Sequence, residues 1–170
     1  MNCLRKTISI ILLTIFIIGL NSSFPALALL REHHQSPGVL RYHAQHSIKD
    51  RQQRAWQVIL FPEDRLAETK YYLRLVGFPG VVNFIHPQEL EVITSQGNVL
   101  IAPDVFAQTA PAPNVGQYDV TQIRSQFSAK DSIKLVFSLQ ENDKQVRNIT
   151  LKISPAIIAE WQWLELQFDK

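Results

Sequence analysis

The chain has 170 residues, 46% of them hydrophobic and 19% charged, and 17 Lys plus Arg against 15 Asp plus Glu give a formal charge of +2 with His neutral. Arg5 and Lys6 belong to a leader; without them 15 basic side chains face 15 acidic ones, which excludes the strong basic excess of a nucleic-acid binder. The single cysteine, Cys3, lies in the same leader, so the remainder is left without a disulfide, a thiol nucleophile or a Cys-based metal site.

Residues 1–28 read as a secretory signal peptide. Arg5 and Lys6 supply the charged start, residues 8–20 the apolar run, and Ala26-Leu27-Ala28 a small-x-small cleavage site. The run is shorter than the roughly 20 residues that span a bilayer, so no retained transmembrane anchor is expected. Residues 29–170 read as a single β-rich domain, long enough to bury a core without disulfides.

Alternation with a period of two then dominates. In residues 39–49, Leu40, Tyr42, Ala44, His46 and Ile48 share one face of a strand, and Arg41, His43, Gln45 and Ser47 the other. Asp50 to Gln53 is a polar turn. Residues 55–61 form the second arm of a hairpin through Trp56, Val58 and Leu60, and Pro62 with the charged PEDRLAETK stretch is expected to break it. Residues 71–77 supply a third strand. Residues 90–94 and 99–102 flank a Ser-Gln-Gly-Asn turn. The Ala-Pro-rich residues 107–117 read as an extended loop, and residues 119–127 as a short helix capped by Asp119 or Thr121, with a strand as the alternative. Residues 133–140 and 149–153 alternate cleanly. Ser154-Pro155 opens a C-terminal α-helix whose tryptophans are expected to close one end of a sheet. The pattern is mainly β: an antiparallel β-sandwich or open barrel of about seven strands with a C-terminal helix.

Motifs for nucleophilic, zinc-dependent or phosphate chemistry are absent, and with no catalytic residue to name the reading leans away from an enzyme. No metal site or cofactor is expected. His43 and His46, three apart on a strand, point to opposite faces, and a site from His33, His34 and His43 would require the N-terminal segment to fold back, so ordinary surface histidines are the preferred reading. The acidic pairs Glu63-Asp64, Glu89 with Glu91 and Glu141 with Asp143 fall in or beside turns, where solvated carboxylates are the rule.

The stretch Gly77-Phe78-Pro79-Gly80-Val81 is the most informative. Two glycines and a proline specify a stiff turn, yet its side chains are apolar. Phe78 and Val81 either plug the open end of a sandwich or present an anchor to a partner. The candidate partner-binding residues are therefore Phe78, Pro79 and Val81, together with Arg41 and His43 from the basic, His-rich stretch 31–54.

Several separated blocks carry a resemblance. Pro37-Gly38-Val39-Leu40-Arg41-Tyr42, Ala55-Trp56-Gln57-Val58, Leu73-Arg74-Leu75-Val76-Gly77-Phe78-Pro79-Gly80, Ala102-Pro103-Asp104-Val105-Phe106 and Asn114-Val115-Gly116-Gln117-Tyr118-Asp119 resemble small exported cyanobacterial proteins grouped as a domain of unknown function. The resemblance implies a periplasmic or thylakoid-lumen location and no catalytic residues. The expected function is that of an exported, non-enzymatic accessory or binding protein with a protein partner, docking on a photosynthetic or envelope membrane complex. The alternatives are a small-molecule carrier with a cavity between sheets near Trp56, Tyr71 and Phe137, and, behind it, an envelope hydrolase.

Overall fold

A computed structural model describes residues 30–36, 39–65 and 68–168. The expected signal peptide lies outside the described residues. Among these residues no helix is long and apolar enough to cross a membrane.

Among the described residues ten strands form two five-stranded antiparallel sheets. The first has the order β1 (Leu30–Ser36), β2 (Val39–Lys49), β3 (Ala55–Arg65), β4 (Glu68–Val76), β8 (Val115–Asp119). The second has the order β10 (Val146–Ile153), β9 (Ile133–Glu141), β6 (Leu90–Ile93), β7 (Val99–Ala102). The short β5 (Val82–Phe84) pairs with the end of β9, Val82 opposite Glu141 and Phe84 opposite Leu139. The sheets do not close on one another, so the architecture is a sandwich and not a barrel.

Period-two alternation places the core. Trp56, Val58 and Leu60 of β3 and Tyr71, Leu73 and Leu75 of β4 are buried on the first sheet; Ile133, Leu135, Phe137 and Leu139 of β9 and Ile149, Leu151 and Ile153 of β10 are buried on the second. The Trp56 ring stands edge-on to Phe137 at 5.3 Å and to Phe84 at 6.1 Å. Trp56, Tyr71 and Phe137, named above as the lining of a carrier cavity, are thus packed side chains of the core.

A C-terminal helix α1 (Pro155–Phe168) lies against β2 and β3 and covers the part of the first sheet beside the second. The Ser154 carbonyl accepts the amides of Ile157 and Ile158 at its start. Ile158, Trp161 and Leu164 face the sheet. Trp161 closes the core as expected, but Trp163 is 48% exposed. Two residues along a helix turn the side chain about 200° away, so both rings cannot face one sheet.

Three further expectations are corrected. Pro62 does not end β3: the strand runs on to Arg65, and Pro62 pairs with Tyr71. The β2–β3 ladder stops at Ala44 opposite Leu60, so beyond it β3 has a neighbour on one side only and a residue without an amide donor is tolerated. The loop read over residues 107–117 ends early, because β8 starts at Val115. The short helix expected over residues 119–127 is a single 3-10 turn, Arg124–Gln126, preceded by an Asx turn in which the Asp119 carboxylate accepts the Thr121 amide at 3.0 Å.

Candidate functional site

Three connections meet at one end of the sandwich: the β2–β3 turn, the β4–β5 loop and the β9–β10 turn. Phe78-Pro79-Gly80-Val81 forms a tight turn in the β4–β5 loop, with the Val81 amide donating to the Phe78 carbonyl at 3.2 Å. Pro79 in second position and Gly80 in third, at φ +73°, are the residue types that such a turn demands.

Both flanks of this turn are fastened. On one side Gly77 exchanges two hydrogen bonds with Asn114: its amide donates to the Asn114 carbonyl at 3.0 Å, and the Asn114 side-chain amide donates to the Gly77 carbonyl at 2.8 Å. Asn114 is itself buried, so its carboxamide is held in one place. On the other side the Asn142 side-chain amide donates to the Gly80 carbonyl at 2.7 Å. A Cβ at Gly77 would collide with the Val82 methyl and stand 2.8 Å from the Trp56 ring, so only glycine lets the chain pass this close to the core.

An ionic network underlies the turn. Asp50 accepts from the amides of Gln52 and Arg54, the Arg54 guanidinium at 2.7 Å and the Trp56 indole N–H at 3.1 Å. Arg54 also reaches Glu141 of the other sheet, and Glu141 accepts Arg147 at 2.8 Å. Burial works against the Asp50 charge, but the bonds from Arg54, Trp56 and the backbone outweigh it and hold this carboxyl below its ordinary range.

The outcome at the tip is a fixed aromatic in water. Phe78 is 71% exposed and Val81 38% exposed, while the core end is closed by Val82 and Phe84 instead. Phe78 stands between two shallow grooves of about 230 and about 380 Å³, one reaching Arg54 and Val81 and the other Ser47 and Pro79. Phe78, Pro79 and Val81 are brought together. Arg41 and His43 are not: Lys49 pairs with Ala55 beside the turn, and His43 lies six residues back along β2, about 20 Å away at ~3.3 Å per residue. His43 is on the face opposite His46, as expected; the Arg41 side chain lies outside the described residues.

A second polar cluster lies between β5 and β8. Asp104 accepts from His86 Nδ1 at 2.6 Å and from the amides of Gln88 and Phe106. Its bond fixes the imidazole orientation, and the ring stacks against Phe84 at 6.3 Å. Burial, aided by the Asp104 charge, pushes the Tyr118 phenol up out of its ordinary range. No serine, cysteine or second carboxylate is bonded to His86 among the described residues. No group of three or more metal-ligating side chains occurs among them either. Of the acidic pairs, Glu63 and Asp64 lie within β3 and Glu141 joins the ionic network.

Sequence reading missed Asn114, Asn142 and the Arg54–Glu141 link, because each acts across the fold on a residue tens of positions away. Only the Asp50 turn had a local signal.

The family model described as "Protein of unknown function (DUF3122)" matches residues 28–164. The chain belongs to this family. The match spans both sheets and most of α1 and takes in the fastened turn with Gly77, Phe78 and Asn114. No curated protein and no solved structure matches the chain.

Proposed function

We propose that this member of the family is an exported, non-enzymatic binding protein that docks through the Phe78 turn onto a protein partner, an accessory to a photosynthetic or envelope membrane complex. The observation that carries this reading is a large aromatic left 71% in water on a turn whose backbone is bonded on both flanks. A flexible loop loses conformational freedom on binding; a turn already fixed loses little, so more of the burial of Phe78 appears as affinity. The surroundings suit a protein surface: an apolar centre of Phe78, Pro79 and Val81 with a charged rim of Arg54, Glu141 and Arg147. Export is supported by the leader pattern of residues 1–28, and location in the periplasm or thylakoid lumen by the resemblance given above. Of the basic stretch 31–54, Arg54 lies in this rim, while Arg41 and His43 lie too far along β2 to share the contact and serve long-range steering instead.

The test is co-purification from the native envelope or lumen. Phe78→Ala is expected to leave the urea midpoint of the isolated protein unchanged and to weaken capture of the membrane complex at least tenfold, the loss expected when a central aromatic anchor is truncated. Undiminished capture, or a protein that no longer folds, would remove the anchor role.

A further inference from the structure

Where α1 meets β2 the fold buries the titrating atoms of two side chains. His46, on the inward face of β2, has its Nε2 3.3 Å from Oε2 of Glu160 on α1, and each side chain is 10% exposed. His46 Nε2, both Glu160 carboxylate oxygens and the neighbouring Trp161 indole N–H are buried without a hydrogen-bonding partner among the described residues. This is a costly way to join a helix to a sheet. It leaves the proton content of the pair to decide the cost.

We propose that His46 and Glu160 form a proton-dependent latch for the C-terminal helix, which holds while the pair carries one proton and loosens when it gains a second or loses the first.

With one proton the pair has no net charge, whether the proton sits on Nε2 or on the carboxyl. With two, docking α1 buries an uncompensated imidazolium; with none, it buries an uncompensated carboxylate. Among the described residues no side chain is hydrogen-bonded to His46 Nε2 or to the Glu160 carboxylate. The inward face of β3 presents Trp56, Val58 and Leu60, and that of β10 Ile149, Leu151 and Ile153. On β2 the Tyr42 phenol shares the face of His46, while His43 and Lys49 lie on the other. On α1, Glu165 is five residues on and bonded to Arg124 at 2.9 Å. In the β1–β2 register Glu32 is the residue opposite Tyr42.

The single-group directions match: burial lowers the His46 pKa and raises that of Glu160. Undocked, the two groups titrate at their ordinary values of 6.5 and 4.5, so the pair holds one proton between them, gains a second below and loses the first above. The latch requires the 3.3 Å contact to keep one proton on the docked pair beyond both values, and docking is then expected to weaken on each side of that window.

The experiment is amide hydrogen exchange of the purified full chain between pH 3.5 and 9. Protection across Trp161–Leu166 is corrected for intrinsic rate and divided by protection across β9. The ratio is expected to peak between pH 4.5 and 6.5. Glu160→Gln should abolish the alkaline decline and move the acid decline up to begin near 6.5; His46→Gln should abolish the acid decline and move the alkaline one down to begin near 4.5. A flat ratio in the native protein overturns the latch, and so does a native-like peak in either variant. If neither variant folds, the native profile decides alone.

Discussion

Gly77 shows how much of the exposed turn is decided by one residue's lack of a side chain. Its neighbours leave no room for a Cβ, and both of its peptide groups are bonded to Asn114. Gly80 is glycine for a different reason, its φ of +73°, and has open space around it. The two should therefore respond differently to alanine. Gly77→Ala is expected to destabilise by about 1–3 kcal/mol through overpacking against Val82 and Trp56, and Gly80→Ala by about 1 kcal/mol through backbone strain. Urea denaturation of both variants checks this. The tryptophan emission of Gly77→Ala should also shift, because Trp56 is the ring displaced.

At the scale of elements, α1 carries two tryptophans with opposite fates. Trp161 is buried against Phe127 at 6.2 Å between ring centroids, and Trp163 looks outward. Trp161→Ala is expected to cost about 3–5 kcal/mol, as for other buried aromatics, and Trp163→Ala less than about 0.5 kcal/mol. A comparison of denaturation midpoints separates them. Periodicity alone made α1 legible, and so did β2, β9 and β10, where apolar and polar residues alternate over a whole strand. The elements misread were those without such a pattern. β8 contains Gly116 and Gln117, and Gln117 is buried because Arg74 donates to it twice, at 2.9 and 2.6 Å, from the neighbouring strand. β5 is three residues long, and β1 looks like a charged, His-rich tail. Each becomes a strand because a partner edge is available, which residue order does not reveal.

At the scale of the molecule, the Asp50–Arg54–Glu141 link joins the two sheets at the end that carries Phe78. Arg54→Gln leaves a buried carboxylate short of its counter-ion, so stability near neutral pH is expected to fall by about 2–3 kcal/mol. The Asp50 pKa is depressed in the folded protein, and its contribution is therefore present above 3.8 and lost as pH falls through the folded value. The difference between native and variant should accordingly shrink below pH 4, which acid titrations of both monitored by circular dichroism will show. The same variant should weaken partner capture less than Phe78→Ala does, since it loosens the base of the turn without removing the anchor.

Residue order alone specifies the β-rich character, the inward faces of the long strands, the terminal helix and the stiffness of the Gly-Phe-Pro-Gly turn. All four follow from interactions within a few residues: side-chain period, proline's fixed φ and glycine's missing Cβ. Whether Phe78 would plug the sandwich or face water was decided only in three dimensions, because Val82 and Phe84 of β5 fill that end first. The meeting of His46 with Glu160, 114 positions apart in the chain, was likewise settled by where α1 lies on the sheet. Local rules set what each segment can be, and packing between distant segments sets which surfaces are left over.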